Sequence, residues 1–393
     1  MASKFRLLMT TDVKSEVWDY SLTLSKALLK HINAEILIIS MGGKPTDSQK
    51  KQLEDLNIEF QFTDFSPDFL ADNEINPDIS EIKTTFERSI KSFDPHIVHL
   101  NHGYPDLNFD KPCILACHAN ILNKKIWNDS INRYSPLYQN LLNYKQIINK
   151  SLNNADIVIA PSRFFAENLI KTFDFIKGIK IIYNGIDYKP HSCVKESPTL
   201  VTFGNMSDSS KHINLLLNMA YRLPDNIKIK IIGDSQLDRK LPKNVEFLTN
   251  LSNFERWEVY KNSSIYLALS NYESNGLASI QAAYSGCAIL ANDIPSCKEL
   301  WGDCAYIFDR DDANSLMRCI NNLVENPNLL EITSRNCQAK ALSVFNSKRM
   351  AYEYINLYKN ILKKHQTKQT DNNSCHSEVL THITKDPNHE SIT

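Results

Sequence analysis

The sequence predicts an α/β protein of two doubly wound, parallel-sheet domains that face each other across a cleft. Three observations lead there. The chain has 393 residues, too many for one ordinary hydrophobic core and well matched to two. Short β-branched runs alternate with helical periods almost from the first residue, which is the rhythm of βαβ units. The series then breaks at a polar stretch from Tyr188 to Pro198, which holds two prolines, and begins again at Leu200 to Phe203.

In the first series, strands are expected at Phe5 to Thr11, Ala34 to Ser40, Ile58 to Thr63, Ile97 to Asn101, Ile114 to Cys117, Ile157 to Ala160 and Lys180 to Tyr183. Helical periods fall at Val17 to His31 and at 78–92, 134–153 and 163–172. In the second series, strands are expected at Leu200 to Phe203, Ile227 to Ile232, Val245 to Leu248, Ser264 to Leu269, Ala288 to Ala291 and Ala305 to Phe308. The domain plan is therefore 1–190, 191–346, and a helix over 347–364 whose stripe of Met350, Ala351, Tyr354, Ile355, Tyr358, Ile361 and Leu362 packs back across the junction. Residues 365–393 are polar and read as a disordered tail.

Composition excludes several classes of function. The formal net charge is -1, and no basic stripe with interleaved aromatics suggests a nucleic-acid partner. No apolar run matches a signal peptide or a membrane span, so a cytoplasmic protein is expected. The helix at 134–153 carries Leu137, Leu141, Tyr144, Ile148 and Leu152 on one face, which reads as a core stripe, and membrane association has no support in the sequence. Nine scattered cysteines, an odd number, read as reduced core thiols without a metal site.

Function is sought at strand-to-helix turns, because open parallel sheets bind ligands beyond the carboxyl ends of their strands. Turns that follow a strand directly in the second domain are Phe203-Gly204-Asn205-Met206 leading to Lys211, Ile232-Gly233-Asp234, Asn271 to Leu277, and Asn292 to Ser296. The third has an acid, Glu273, just before a helix that opens at Gly276 and Leu277. Backbone amides at that helix start suit phosphate or sugar oxygens, and a carboxylate accepts hydrogen bonds from sugar hydroxyls. Spacing alone fits equally well with an ordinary helix start beside an acid.

The run from Tyr272 to Ala288, continuing through Asp293-Ile294-Pro295-Ser296 and Glu299-Leu300-Trp301, resembles the donor-site signature of family 4 glycosyltransferases of GT-B fold, the retaining, group 1 type. Asn184-Gly185-Ile186-Asp187 resembles that family's interdomain Asn-Gly-Val-Asp, and Gly204 with Lys211 resembles the Gly-Arg and Lys pair that grips the donor diphosphate. Met9-Thr10-Thr11-Asp12 with Val17-Trp18, and Val98-His99-Leu100-Asn101, resemble a bacterial branch of the same family.

The resemblance covers about residues 5–362 and implies two Rossmann-like domains and transfer of a hexose-type sugar with retention of anomeric configuration. A nucleotide diphosphate sugar would be the substrate, with no further cofactor. On matching positions, Glu273 would hold donor hydroxyls, the Gly276 and Leu277 amides would bind sugar or phosphate, and Lys211 would neutralise the departing diphosphate. His118 occupies the position where the family's histidine faces the donor sugar. Gly204, Asn205, Gly233 and Gln281 complete the donor-binding set.

The sequence departs from the family pattern at three places that bear on one ligand. Asn205 stands where the family has a diphosphate-binding Arg, Gln281 where it has a second Glu, and Val13-Lys14-Ser15-Glu16 where relatives have a glycine-rich loop. Two readings follow. In one, the Lys14 ammonium replaces part of the lost charge and the enzyme turns over. In the other, the chain is a catalytically impaired relative that binds nucleotide sugars or serves as a scaffold subunit. A sugar-nucleotide epimerase of related architecture lacks the signature from Glu273 to Gly286. For the acceptor, Trp18, Tyr20, His102, Tyr104 and Trp127 are candidates for a groove and equally candidates for the core. Acceptor identity and oligomeric state are not legible.

Overall fold

The protein is described from a computed structural model, which defines residues 4–65, 80–103, 110–118, 136–175, 177–188, 198–205, 208–233 and 241–370. The chain divides into two compact units. One comprises residues 1–161, 166–185 and 347–393, the other residues 162–165 and 186–346.

The first unit is built on a seven-stranded sheet, in the order β3-β2-β1-β4-β5-β6-β7. Its strands are β1 (Phe5–Asp12), β2 (Ala34–Met41), β3 (Glu59–Phe62), β4 (Ile97–Leu100), β5 (Cys113–Ala116), β6 (Ile157–Ala160) and β7 (Ile179–Ile181), and every pairing is parallel. β1 is buried along nearly its whole length, as expected of a strand with both faces covered, and Leu7, Leu8 and Met9 form its apolar centre. The connecting helices are α1 (Val17–His31), α2 (Asp47–Asp55), α3 (Ser80–Phe93), α4 (Pro136–Asn154) and α5 (Arg163–Thr172).

On α1, Tyr20, Leu24, Ala27 and Leu28 recur at helical spacing and face the sheet residues Phe5, Leu7 and Met9 in one core. On α4, Leu141, Tyr144, Ile148 and Leu152 are all buried. Sequence reading misses α2, whose single buried residue is Leu53. What holds its start is a capping box, in which Thr46 and Gln49 satisfy each other's backbone amides.

The second unit has a six-stranded sheet, in the order β10-β9-β8-β11-β12-β13. Its strands are β8 (Thr199–Phe203), β9 (Lys228–Ile232), β10 (Val245–Leu248), β11 (Ile265–Ala268), β12 (Ala288–Asn292) and β13 (Tyr306–Phe308), again all parallel. The helices are α6 (Ile213–Ala220), α7 (Asn253–Lys261), α8 (Leu277–Tyr284), α9 (Pro295–Trp301), α10 (Ala313–Glu325) and α11 (Pro327–Val344). Leu200, Ile229, Ile231, Ile265, Leu267 and Leu290 form its core with Leu216, Leu217 and Ile320.

The last helix, α12 (Ser347–Thr370), belongs to the first unit. Met350, Ala351, Tyr354, Ile355, Tyr358, Ile361 and Leu362 all join the core beneath β1 and α1. Tyr20 Oη donates to Tyr354 Oη at 2.5 Å, and Tyr358 Oη is 2.8 Å from His99 Nδ1. The helix continues through Thr370, past the Lys364 at which sequence reading ends it and into the stretch expected to be disordered. Residues 371–393 lie outside the described residues, as does most of the expected linker.

Two aromatic candidates for an acceptor groove prove to be core. Trp18 and Tyr20 are each 5% exposed, and Trp18 Nε1 donates to Gln52 Oε1 at 2.9 Å. His102 is half-buried, while Tyr104 and Trp127 lie outside the described residues. No described helix is long and apolar enough to cross a membrane.

Candidate functional site

Each sheet reverses its strand order once, between β1 and β4 in the first unit and between β8 and β11 in the second. Parallel sheets present their ligand-binding turns at such a switch point, beyond the carboxyl ends of the strands. In the second unit the turn after β8 carries Gly204 and Lys211, and the turn after β11 carries Glu273. The sequence-assigned donor residues therefore flank the switch.

Gly204 and Gly233 prolong the sheet, with Gly204 N donating to Ile232 O at 2.9 Å and Gly233 N to Leu248 O at 3.0 Å. A Cβ on Gly204 would stand 2.8 Å from Lys211 Cβ, and one on Gly233 would stand 2.8 Å from Gly204 O and 3.3 Å from Asn205 Oδ1. These two glycines thus let the Lys211 stem and the Asn205 amide lie directly against backbone. Met206 and Asp234, in the same turns, lie outside the described residues.

Lys211 Nζ is 3.7 Å from Glu273 Oε2. The other carboxylate oxygen, Glu273 Oε1, accepts from the Gly276 amide at 3.1 Å, and Asn275 Oδ1 accepts from the Leu277 amide at 3.1 Å. The start of α8 is therefore capped by the protein's own side chains, and both amides assigned to sugar or phosphate are engaged in this structure. Gly276 makes the entry possible with a φ of 65°, a left-handed conformation that favours glycine. Behind it, Trp301 Nε1 donates to Ser279 Oγ at 2.9 Å, and Ser279 Oγ donates to Gly276 O at 2.8 Å. Gln281, on the next turn of α8, is buried with 8% exposure.

A polar network that sequence reading missed holds the Lys211 turn. His212 follows Lys211 in a left-handed conformation with φ 52°. Its Nδ1 is 3.3 Å from Asp311 Oδ1, and its Nε2 meets Asn271 Nδ2. Asn292 Nδ2 donates to Asn271 Oδ1 at 3.1 Å and to the carbonyls of Leu269 and Ser270, both at 3.3 Å. Those carbonyls only accept, which fixes both amides and leaves His212 Nε2 as acceptor, with the ring hydrogen on Nδ1 toward Asp311. Asp311 is far from His212 in sequence, and no local signal joins them.

In the first unit, β1 ends at Asp12 and the turn after it holds Lys14. Asp12 is buried, and its Oδ1 accepts from the Lys14 amide at 2.9 Å. The Lys14 side chain is exposed, with its stem against Gly42. Asn101 follows β4 and His118 follows β5, and the two meet with Asn101 Oδ1 3.1 Å from His118 Nε2. The Tyr20 ring lies 4.2 Å from the His118 ring, centroid to centroid.

Burial pushes the His118 pKa well below 6.5, and the neighbouring His102 and His99 push it further the same way. Burial likewise lowers His99 to about 3, and it lowers His102 against the opposing pull of the Asp12 carboxylate. All three rings are neutral near pH 7. Burial also drives the Cys113 and Cys117 thiols up to about 12, so both stay protonated as core side chains. Among the described residues no His, Cys, Asp and Glu cluster is arranged to hold a metal ion.

Residues 20–189 match the profile described as Glycosyltransferase Family 4, and residues 187–340 match the one described as Glycosyl transferases group 1. Among curated proteins, an uncharacterized glycosyltransferase of Methanocaldococcus jannaschii is 25% identical over 66% of this chain and 71% of its own. The GDP-mannose:cellobiosyl-diphosphopolyprenol alpha-mannosyltransferase of Xanthomonas oryzae pv. oryzae is 23% identical over 70% of this chain and 76% of its own. Sucrose-phosphate synthase from Thermosynechococcus elongatus shares the fold with a TM-score of 0.71 at 14% identity, over 92% of this chain and 100% of its own. Alr3699/HepE of Anabaena, solved with UDP and glucose, gives 0.68 at 14% identity, over 91% of this chain and 100% of its own.

Proposed function

The chain belongs to the group 1 glycosyltransferases of GT-B fold, and on that premise we propose that it transfers a hexose-type sugar from a nucleotide diphosphate donor with retention of anomeric configuration. The observation that carries this reading is the Lys211 and Glu273 pair, 3.7 Å apart at the switch point of the second sheet. Departure of a nucleoside diphosphate builds negative charge on the leaving group and positive character on the anomeric carbon. An ammonium fixed beside the phosphates lowers that barrier, and a carboxylate beside the sugar accepts its hydroxyls. Lys211 thus stabilises the leaving group and Glu273 orients the sugar.

The α8 caps fit a site that is filled in exchange. A donor hydroxyl or phosphate oxygen replaces Asn275 at the Leu277 amide, while Glu273 keeps its bond to Gly276. Asn205 supplies a neutral amide where an arginine would bring a charge, so donor binding leans on Lys211. Gln281 is the ribose-side hydrogen-bonding group, Lys14 is the first unit's candidate cation for the diphosphate, and His118 is assigned to the donor sugar by its family position. A GDP-mannose donor named for one relative, and the UDP and glucose solved with a structural neighbour, support a nucleotide sugar as substrate class.

The test is a panel of UDP and GDP sugars with purified protein, scored for nucleoside diphosphate release and for thermal stabilisation, with Glu273→Ala alongside. Turnover by the wild type that the variant loses is the expected result, and NMR of the glycosyl product reports its anomeric configuration. Turnover fully retained in Glu273→Ala overturns the site assignment. Stabilisation without turnover favours the second reading, a nucleotide-sugar-binding relative, for which the Asn205 and Gln281 replacements speak.

A further inference from the structure

The side chain of Asn101 has both amide hydrogens committed. Nδ2 donates to the Thr10 carbonyl at 2.6 Å and to Ser21 Oγ at 3.2 Å. Ser21 gives its own hydroxyl hydrogen to the Val17 carbonyl at 2.7 Å, so toward Asn101 it only accepts. Turning the amide over would set two acceptor oxygens against each other at the 2.6 Å contact with Thr10. The Asn101 backbone is pinned as well, since its N–H donates to Thr10 Oγ1 at 2.8 Å.

This orientation decides the state of a second residue. Asn101 Oδ1, which can only accept, faces His118 Nε2 at 3.1 Å, so the hydrogen sits on Nε2. The ring is neutral, because burial holds its pKa well below 6.5, and a neutral imidazole has one N–H. Nδ1 is then a bare lone pair. The Tyr20 ring, tilted by 57° at 4.2 Å, limits rotation of the imidazole. Thr10, Ser21 and Asn101 come from β1, α1 and the turn after β4, so three elements of the first unit converge on one tautomer.

We propose that Asn101 is a positioning residue that fixes His118 as the Nε2–H tautomer and makes its Nδ1 a permanent hydrogen-bond acceptor. Where the family position of His118 brings that atom to the donor sugar, it receives a hydroxyl hydrogen and gives no proton to the reaction. This last step rests on the glycosyl-transfer reading, whereas the tautomer does not.

The experiment uses the full chain labelled with 15N-histidine and reads long-range proton–nitrogen correlations, with the His118 signals assigned by their loss in His118→Ala. The expected spectrum shows Nε2 protonated and Nδ1 bare, unchanged from pH 8 to pH 6. A protonated Nδ1, or a charged ring at pH 7, overturns the proposal. Asn101→Leu, which removes the acceptor facing Nε2, is expected to mix the tautomers. An unaltered His118 spectrum in that variant also overturns the proposal.

A second arm measures UDP-glucose and GDP-mannose turnover. Asn101→Leu should lower kcat at least tenfold in a protein that still melts cooperatively. If the wild type neither binds nor turns over either donor, the proposed function and the hydroxyl contact fall together, and the spectra alone decide the positioning role.

Discussion

Lys211 Nζ lies 3.7 Å from Glu273 Oε2, joining the turn after β8 to the turn after β11 across the switch point of the second sheet. Both side chains keep about a quarter of their surface in solvent, 24% and 25%. A pair so exposed is screened, and pairs of this kind are worth only about 0–1 kcal/mol to the fold. In the proposed reaction its value is separate and larger, because a fixed cation beside a departing diphosphate is worth on the order of a hundredfold in rate. Lys211→Ala is therefore expected to lower kcat by about two orders of magnitude while leaving the melting temperature nearly unchanged. A melting temperature that drops as sharply as activity would show a structural role instead.

Gly276 couples the fold to the same site. Its φ of 65° opens α8, and an added Cβ would stand 2.5 Å from Leu300 Cδ1. Gly276→Ala meets backbone strain and a clash together, and strain at such a position costs about 1–3 kcal/mol. The same change displaces the Glu273 carboxylate that caps Gly276, so donor affinity should fall with stability. Urea unfolding beside nucleotide-sugar binding checks both. Unchanged stability would mean that Leu300 yields freely and that the left-handed turn is not needed.

Much of this architecture is legible in sequence, and for a physical reason. Strands covered on both faces read as apolar runs, so β5, β6 and β12 stand out, and α1 declares itself through the spacing of Tyr20, Leu24 and Leu28. α2 does not, because it buries only Leu53 and is fixed by a capping box that leaves no apolar stripe. The aromatic side chains Trp18 and Tyr20 are ambiguous in sequence, since a groove and a core use the same residues. Only their packing against β1 and α12 shows them to be core.

At the site, residues that sit in one continuous turn, such as Glu273, Asn275 and Gly276, can be read together. What holds Lys211 and His118 cannot. His212, Asn271 and Asp311 come from three separate turns and Asn292 from the end of β12, and the sheet order, not their spacing, assembles them. Engagement of the Gly276 and Leu277 amides by Glu273 and Asn275 is likewise a matter of side-chain direction, which sequence does not carry.

That network makes its own prediction. His212→Ala keeps the left-handed backbone but loses both ring contacts, whereas His212→Gly loses the ring and relieves the backbone. An L-residue in the left-handed region costs roughly 1–2 kcal/mol relative to glycine, so the glycine variant should be the more stable of the two by about that amount. Neither should recover turnover, because the ring that ties Lys211's turn to Asp311 and Asn271 is gone from both. Wild-type turnover in His212→Gly would sink the positioning role of the ring.

Acidification should destabilise the first unit before it protonates that unit's buried histidines. His99 is buried on β4, with Nδ1 against Tyr358 Oη at 2.8 Å, and its pKa falls from 6.5 to about 3 on burial. The unfolded chain therefore takes up a proton near pH 6.5 that the folded chain refuses until about pH 3. Stability attributable to this ring is complete above pH 6.5 and falls by up to roughly 1.4 kcal/mol per pH unit as pH drops through that window. His118 and His102 act with the same sign, since burial lowers both. Urea unfolding at pH 7.5, 6.5 and 5.5 should thus show a declining midpoint whose slope is shallower in His99→Gln. The glutamine variant is itself less stable at pH 7.5, because it packs less well against Tyr354 and Tyr358, so the comparison that matters is the slope and not the absolute value. Equal slopes in both proteins would mean that His99 is protonated, or reached by water, in the folded state.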